Sequence, residues 1–396
     1  MNTPKNYEIN EWEDDNLDLK SSLLRGIYSY GFENPSSIQK KALYPMTKHV
    51  DTKNNKLKDI IAQAQSGTGK TGAFGIGILQ IIDETVLETQ GLVLAPTHEL
   101  ANQIKHVLMS IGKYLKINIK LLVGGSPVEK DKEEIDENKP HVVVGTPGRV
   151  QDMIRRKYLK TEKLKIIVLD EADEMLSSGF NEQVYKILNN MPDDIQVALF
   201  SATMPPQVES LATEFMLYPN KILVKNEELT LQGIAQYYVN VVNDAQKYDT
   251  LKDLFGGVSI SQAIIYCNST SRVDDLYEAM EHDNYPVQRI HGKMSQQDRH
   301  AVYKDFKSGG CRVLISSDLF ARGIDVQQVS IVINFDVPKN ENTYLHRIGR
   351  SGRWGRKGIA INFQSKYDVS KLNNFRNYYH TEITELPIDY RNHIDL

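Results

Sequence analysis

Short apolar runs recur along this chain of 396 residues, and amphipathic stretches separate them. The runs span residues 60–64, 91–95, 120–123, 142–145, 166–169 and 197–200 in the first half, and 263–266, 286–290, 313–316, 330–334 and 358–363 in the second. Such Val- and Ile-rich runs are typical of strands buried on both faces, and strand–helix alternation is typical of parallel sheets. Because the pattern occurs twice, we predict two α/β domains in tandem, 1–225 and 234–396, joined by a polar linker over 226–233.

The composition excludes an intrinsically disordered chain and a nucleic-acid-binding polycation. Apolar residues make up 40% of the sequence and charged residues 25%, as in ordinary globular proteins. The 47 Lys and Arg residues against 51 Asp and Glu residues give a net charge of −4, so any nucleic acid must bind through local basic sites. No apolar run is as long as a membrane span, and the polar, acidic N-terminus is unlike a targeting peptide. We expect Cys267 and Cys311, both in strand-like runs, to be reduced and buried.

One segment interrupts the alternation. His49–Lys58 is polar, rich in Asn and Lys, and not periodic, which predicts an exposed loop before the strand that starts at Ile60. The insertion over 48–58 is interpreted either as a partner site or as a tolerated insertion, and the second interpretation is favoured.

A glycine-rich turn follows the first predicted strand and has the spacing of a phosphate-binding loop. The sequence AQSGTGKT (64–71) departs from the general pattern because Ala64 replaces the first glycine. Gly67 and Gly69 allow a tight turn whose amide groups point at an anion, and a helix starting near Lys70 adds its positive end. Lys70 can reach the β- and γ-phosphates, and the Thr71 hydroxyl can ligate Mg²⁺. The alternative is a turn that binds nothing.

Two acids follow a later predicted strand. Asp170 ends the apolar run that begins at Ile166, as expected of a residue that holds Mg²⁺ opposite Thr71. Glu171 can orient and deprotonate an attacking water. Taken alone, these acids equally indicate an acidic turn that caps the next helix. The phosphate-binding loop about a hundred residues earlier favours the catalytic interpretation.

These residues, and the order of their motifs along the chain, resemble those of the DEAD-box RNA helicases. The matching motifs are GFENPSSIQ (31–39), AQSGTGKT (64–71), PTHELA (96–101), Gly124–Gly125, TPGR (146–149), DEAD (170–173), SAT (201–203), IIYCNS (264–269), Gln296 with Arg299, SSDLFARGID (316–325) and HRIGRSGR (346–353). The connecting segments are similar to the translation-initiation branch of that family. The resemblance implies two RecA-like domains, with ATP and RNA bound across the cleft between them.

The resemblance also implies the residues that bind the nucleotide. Gln39 selects adenine, because an amide both donates and accepts hydrogen bonds, and Phe32 and Trp354 are the aromatic contacts to the base. Trp12 is a further candidate for such a contact, or else a hydrophobic anchor for the N-terminal segment. The other members of this set are Ser66, Gly67, Thr68, Gly69, Lys70, Thr71, Gly323 and Asp325, of which Asp325 contacts the ribose.

The second half contains an arginine-bearing stretch without acids, from 342 to 367. Arg347, Arg350 and Arg353 are spaced three residues apart, so they can spread over the γ-phosphate and stabilise charge in the transition state. The alternative is an ordinary solvated face. The resemblance assigns Arg350 and Arg353 to this role, and the catalytic set is Lys70, Glu171, Arg350 and Arg353.

The remaining motifs are expected to couple the nucleotide to RNA and to hold the strand. The coupling residues are Asp173, Ser201, Thr203 and His346, and the alternative for His346 is an ordinary histidine. The RNA contacts are Pro96, Thr97, His98, Gly125, Thr146, Pro147, Gly148, Arg149, Arg299 and Ser317. These groups suit phosphate and sugar, so we predict sequence-independent binding of single strands, with RNA preferred over DNA.

Two positions depart from the family pattern. His98 stands where the family usually has arginine, so a permanent cation becomes an imidazole that is mostly neutral at pH 7. Ser316 and Ser317 stand where the translation-initiation branch has two threonines. The hydroxyls remain, so we expect little effect from the second departure.

Together these patterns predict an ATP-dependent RNA helicase that uses ATP and Mg²⁺ to separate short duplexes or remodel RNA–protein complexes, in translation initiation. The alternatives are an ATP-gated RNA clamp, a helicase of ribosome assembly or RNA export, and an inactive scaffold, which the catalytic set disfavours. The expected partners are single-stranded RNA or a short RNA duplex and a translation scaffold protein. We expect a monomer without a membrane partner, located in the cytoplasm, with the nucleus as the alternative.

Overall fold

A computed structural model describes residues 7–51, 56–64, 68–177, 179–223, 234–257, 262–318, 329–351, 358–387 and 389–390. The chain divides into two compact units, Met1–Lys225 and Asn226–Leu396. The predicted linker over 226–233 lies outside the described residues.

Unit 1 alternates strands with helices, as predicted. Its strands are β1 (Val50–Asp51), β2 (Lys56–Leu57), β3 (Ile60–Gln63), β4 (Gly91–Leu94), β5 (Ile119–Leu122), β6 (Val142–Gly145), β7 (Ile166–Asp170), β8 (Gln196–Ser201) and β9 (Asn220–Leu223). Its helices are α1 (Ser21–Tyr30), α2 (Ser37–Thr47), α3 (Lys70–Ile81), α4 (His98–Ile111), α5 (Val128–Asn138), α6 (Pro147–Arg155), α7 (Ala172–Ser177), α8 (Asn181–Leu188) and α9 (Pro206–Phe215). Seven strands form one parallel sheet in the order β5-β6-β4-β7-β8-β3-β9.

Unit 2 repeats this architecture. Its strands are β10 (Ile234–Asn240), β11 (Ala263–Tyr266), β12 (Val287–Ile290), β13 (Val313–Ser316), β14 (Ile331–Asn334), β15 (Gly358–Gln364) and β16 (Thr384–Glu385). Its helices are α10 (Asp244–Gly257), α11 (Thr270–His282), α12 (Gln296–Ser308), α13 (Glu341–Ile348) and α14 (Val369–Tyr379). The strands form a second parallel sheet in the order β12-β13-β11-β14-β15-β10-β16. The α/β prediction is therefore confirmed in both units.

Helices bury both faces of each sheet. In unit 1, successive strand residues point to opposite faces, so Ala62 and Val168 join one apolar cluster while Ile61 and Ile167 join another. This double burial explains why the strands show no polar alternation in the sequence.

Parallel pairing gathers the ends of the strands. In unit 1, β3 ends just before the phosphate-binding loop, β7 ends at Asp170 and β8 ends at Ser201. Because the carboxyl ends of parallel strands meet at one edge of a sheet, these motifs lie along the same edge.

The insertion at His49–Lys58 is not the loop that the sequence predicts. Strands β1 and β2 pair antiparallel, with Val50 opposite Leu57 and Asp51 opposite Lys56. The Lys58 amide donates to the His49 carbonyl over 3.0 Å. Each strand contributes only two residues to the ladder, which is too few to show an apolar alternation in the sequence. The ladder still provides hydrogen-bond partners for backbone groups of both strands. Residues 52–55, between the two strands, are outside the described set.

Both cysteines are free and buried, as predicted. Burial raises the pKa of the Cys267 thiol to about 12 and raises that of Cys311 as well. Within the described residues, no helix has both the length and the apolar character needed to cross a membrane.

A cluster of buried charges ties together several elements of unit 2. Asp336, just after β14, accepts from Lys247 Nζ over 2.8 Å and from Arg272 Nε over 2.7 Å. The Asn268 amide donates to the same carboxylate over 3.1 Å. Burial alone would raise the pKa of Asp336, but the hydrogen bonds from Arg272 and Lys247 outweigh it and hold the pKa below its usual range.

We expect Asp336→Asn to lower the free energy of unfolding by about 2–3 kcal/mol at pH 7, because two cations lose their shared carboxylate. A carboxyl whose pKa is lowered in the folded state stabilises the fold above its unfolded pKa, and this stabilisation disappears as the pH falls through the folded value. The difference from wild type should therefore shrink below about pH 4. Calorimetry of the full chain at several pH values measures the stability of both proteins.

Asp249→Asn is the matched control, because the Asp249 side chain is 69% exposed and pairs with Lys252 at 3.2 Å on the surface. Such a pair contributes about 0–1 kcal/mol. Equal losses of stability in the two variants would contradict the importance of the buried cluster.

Candidate active site

The phosphate-binding loop leads directly into α3. Gly69 has φ +99° and precedes the first helical residue, Lys70. Lys70 is only 6% exposed, and its Nζ has no hydrogen-bond partner among the described residues. Thr71 follows it and is half-buried, while Ser66 and Gly67 lie outside the described part of the chain. A buried ammonium without a partner is costly, which indicates a site built for an anion.

Two buried acids occupy the end of β7. Asp170 and Glu171 are each 3% exposed, and the Glu171 amide donates to Asp170 Oδ1 over 3.0 Å. Burial raises the pKa of Asp170 to about 7, although the positive charge of Lys70 opposes the shift. Glu171 has φ 52°, and its Oε2 has no partner within the described residues. Uncompensated carboxylate oxygens are the ligands that a hard cation such as Mg²⁺ prefers, so the donor set fits this ion.

The third acid of DEAD lies against the SAT segment. Thr203 Oγ1 donates to Asp173 Oδ2 over 2.7 Å, and the Asp173 amide donates to Ser201 Oγ over 3.3 Å. The Ala64 amide also donates to the Ser201 carbonyl over 3.0 Å. The structure thus brings three of the four predicted coupling residues together and joins them to the start of the phosphate-binding loop.

Gln39 and Phe32 lie against the start of α3. The Gln39 side chain accepts from the Ser36 amide over 2.7 Å and donates to the Gly69 carbonyl over 3.3 Å. A Cβ at Gly72 would lie 2.5 Å from Gln39 Nε2 and 2.9 Å from Phe32 Cε2. Gly72 is therefore the close-approach position that lets both side chains reach the phosphate-binding loop. Thr68 belongs to the same loop and is exposed.

Trp12 is an anchor and does not present its ring to the site. It is 1% exposed, and its Nε1 donates to the Phe32 carbonyl over 3.1 Å. Its ring stacks on Phe32 with centroids 6.4 Å apart. Of the two alternatives for this residue, the structure supports the hydrophobic anchor.

The PTHELA segment turns into α4 after Pro96. Thr97 caps the helix by accepting from the Leu100 amide over 3.2 Å. His98 is the first helical residue, and a Cβ at Gly124 would lie 3.5 Å from its Nε2. Gly125 has φ +94°. A helix start beside a glycine turn is suited to binding phosphate, as the sequence predicts.

The TPGR segment forms the start of α6, with Thr146 at the N-cap and Pro147 and Gly148 in the first turn. Arg149 donates to Asp131, to Ser126 Oγ over 3.1 Å and to the Ser126 carbonyl over 2.6 Å. The sequence predicts that Arg149 supplies charge to RNA. In this structure its guanidinium is already paired with Asp131.

In unit 2, the two predicted RNA-binding residues lie on different elements. Arg299 is half-buried on α12, and Ser317 follows β13, with its carbonyl accepting from Ser316 Oγ over 2.9 Å. His346 and Arg350 are each 2% exposed, and Arg350 Nε donates to the His346 carbonyl over 3.2 Å. The predicted residues Gly323, Asp325, Arg353 and Trp354 lie outside the described ranges.

Arg347 is not one of three equivalent phosphate-facing arginines, and that expectation is corrected. Its side chain is fully buried, and it donates to Asp318 and to Asn268 Oδ1, over 2.6 and 2.7 Å. It also donates to Asn334 Oδ1 over 3.2 Å and to the Asp336 carbonyl over 2.8 Å. These contacts use the guanidinium to hold segments of unit 2 together.

Sequence reasoning missed two residues that shape the site, Ser36 and Asp131. Ser36 and Gln39 satisfy the capping-box pattern of a serine followed three residues later by glutamine, a signal that was available in the sequence. Asp131, the partner of Arg149, lies 18 residues away on another helix, and no local pattern indicates that pairing.

Two family models match the chain. The one described as DEAD/DEAH box helicase matches residues 36–211, and the one described as Helicase conserved C-terminal domain matches residues 246–355. They cover parts of unit 1 and unit 2 respectively.

Known proteins are similar over nearly the whole chain. Eukaryotic initiation factor 4A of Caenorhabditis elegans is 52% identical over 373 residues, which cover 94% of this chain and 90% of that protein. ATP-dependent RNA helicase FAL1 of Coccidioides immitis is 50% identical over 375 residues, covering 95% and 92%. The solved structure of Saccharomyces cerevisiae Dbp5 bound to RNA and ADP BeF3 has a TM-score of 0.87 at 36% identity and covers 96% of both chains.

Proposed function

The chain belongs to the DEAD-box family of ATP-dependent RNA helicases, and we propose that it separates short RNA duplexes or remodels RNA–protein complexes in translation initiation. The observation that carries the chemistry is the pair of buried groups, Lys70 Nζ and Glu171 Oε2, that lack partners among the described residues. A buried ammonium and a buried carboxylate oxygen that both lack hydrogen-bond partners suit a ligand that brings both an anion and a polarised water.

We assign most of the phosphate chemistry to residues of unit 1 and the remainder to two arginines of unit 2. Lys70 binds the β- and γ-phosphates, and Glu171 orients and deprotonates the attacking water. Thr71 and Asp170 would hold Mg²⁺, which neutralises phosphate charge when it is bound. The pKa of Asp170, which burial raises, fits a carboxylate whose ionised form needs a nearby cation. Arg350 and Arg353 are assigned to the charge that develops on the γ-phosphate.

We assign recognition of the base to Gln39 and Phe32, which lie together over Gly72. The Gln39 amide can hydrogen-bond the adenine edge, and the Phe32 ring offers an apolar platform. Thr68 and Gly69, with Ser66 and Gly67, would surround the phosphates with amide groups. Asp325, Gly323 and Trp354 remain assigned to the nucleotide by resemblance.

We assign RNA binding to the helix starts and turns of both units. Thr97 with His98, and Thr146 with Gly148, provide hydroxyls and amides for phosphate and sugar. These groups do not read base edges, so binding should be independent of sequence. The Dbp5 structure contains RNA, and its likeness to this chain supports this assignment. The other assigned contacts are Pro96, Gly125, Pro147, Arg149, Arg299 and Ser317.

We place the protein in the cytoplasm as a monomer that works with a translation scaffold protein. Relatives named as initiation factor 4A support this proposal. The alternative is a helicase of ribosome assembly or RNA export. It is kept because a relative named ATP-dependent RNA helicase FAL1, and not initiation factor, matches at nearly the same identity. Binding to a purified initiation scaffold, measured by pull-down, separates the two processes, and absence of binding favours the second.

We expect RNA to stimulate ATP hydrolysis by the wild type and Glu171→Gln to lower kcat by about a hundredfold or more, because the amide cannot accept the water proton. Steady-state ATPase rates with and without single-stranded RNA measure both effects. Glu182→Gln is the control, because the Glu182 side chain is 74% exposed and pairs only with Lys186 among the described residues. A wild-type rate that RNA does not change would contradict the proposed activity.

We expect His98→Arg to bind single-stranded RNA more tightly than the wild type at pH 7.5, by about the contribution of one phosphate contact. The difference should narrow below about pH 6, where an imidazole becomes charged. Fluorescence anisotropy across this pH range measures the affinities. His106→Arg, at an exposed position of the same helix, controls for added charge alone. Identical affinities of wild type and His98→Arg at every pH would refute the assigned contact.

We expect Gly72→Ala to raise KM for ATP by about tenfold with a smaller change in kcat, because the added Cβ displaces Gln39 and Phe32. Gly75→Ala, one turn later in α3, is the control. Among the described residues, its Cβ would meet only the end of the Leu108 side chain, at 3.2 Å. If both variants keep the wild-type KM, the base does not bind over Gly72.

A further inference from the structure

The Phe32 side chain has no polar group, so only neighbouring side chains can fix the plane of its ring. Its backbone is held on both sides, since the Phe32 amide donates to the Ile27 carbonyl over 3.2 Å and its carbonyl accepts from Trp12. Gly72 leaves room for one edge of the ring, and Trp12 stacks on the ring at 6.4 Å with planes 20° apart.

Tyr30 packs against that ring through the turn that ends α1. Gly31 has φ +96°, and its amide donates to the carbonyls of Ile27 and Tyr28. A left-handed residue at this position reverses the chain, so Tyr30 and Phe32 face each other although only one residue separates them. Their ring centroids are 4.8 Å apart and their planes cross at 79°, which is an edge-to-face contact.

The position of Tyr30 argues against a role in the core. Its side chain is 40% exposed, and it lies outside the apolar cluster to which Trp12 and Leu23 belong. An exposed tyrosine at a helix end contributes little buried area, so the ring contact with Phe32 is the feature of Tyr30 that bears on the site. Edge-to-face pairs have a preferred geometry, and this preference constrains the orientation of both rings.

We propose that Tyr30 is a positioning residue for the nucleotide base, which it serves by fixing the plane of the Phe32 ring through their edge-to-face contact. The proposal rests on the proposed assignment of Phe32 to the base. It predicts that loss of the Tyr30 ring weakens the binding of ligands that carry adenine and leaves unchanged the binding of ligands that consist of phosphate alone.

Steady-state ATPase measurements on the full chain with saturating single-stranded RNA test this proposal. We expect Tyr30→Leu to raise KM for ATP and the inhibition constant of ADP by about three- to tenfold, the range of an aromatic pair. kcat and the inhibition constant of inorganic tripolyphosphate should stay unchanged. Tyr30→Phe, which keeps the ring, should restore both adenine-dependent constants to wild-type values.

Two further variants make the outcome decisive. Tyr28→Leu removes a tyrosine of the same helix that is 42% exposed and whose hydroxyl donates to Glu13, and it should leave all constants unchanged. Phe32→Leu should raise the ADP constant at least as much as Tyr30→Leu. If Phe32→Leu has no effect, the base assignment itself fails and the inference with it. If Phe32→Leu acts but Tyr30→Leu does not, or if Tyr30→Leu weakens tripolyphosphate equally, only the positioning role is overturned.

Discussion

Parallel strand pairing is the constraint on which the rest of this structure depends. It sends every carboxyl end of the unit 1 sheet to one edge, and α3 starts at that edge with Lys70 unsatisfied. Asp170, Glu171 and Ser201 reach the same edge from β7 and β8. Residues about a hundred positions apart, such as Lys70 and Glu171, therefore reach the same sheet edge, as their motifs predict. The chemistry of the site follows from the topology of the sheet.

The two units treat buried charge in opposite ways. In unit 2, Asp336 is fully compensated by Lys247 and Arg272, and this cluster stabilises the fold. In unit 1, Lys70 and Glu171 keep atoms without partners among the described residues, which is unfavourable for an empty site. A ligand that hydrogen-bonds to these atoms would offset this cost in free energy. The charged cluster around Asp336 thus stabilises the fold, whereas the charged cluster of Lys70 and Glu171 is available for function.

Sequence periodicity predicted most of the short apolar strands of both sheets, because their side chains are buried on both faces. It missed β10, where Gln236 is buried and bonded to Tyr344 and Thr381, since a polar residue in a strand breaks the apolar run. The motifs predicted which residues lie near the phosphate-binding loop. They could not predict the environment of Arg347, because its partner Asn334 ends β14 whereas its partner Asn268 lies in the turn between β11 and α11. Spacing along a helix defines a face but not what that face contacts.

The Gln39 side chain carries two bonds at once, one to the Ser36 amide and one to the Gly69 carbonyl. Any substitution there loosens the start of α2 and the turn before α3, besides changing the group proposed to face the base. Weaker ATP binding by such a variant therefore does not isolate base recognition. The informative quantity at this position is discrimination between ATP and GTP, because a loosened turn affects both nucleotides equally.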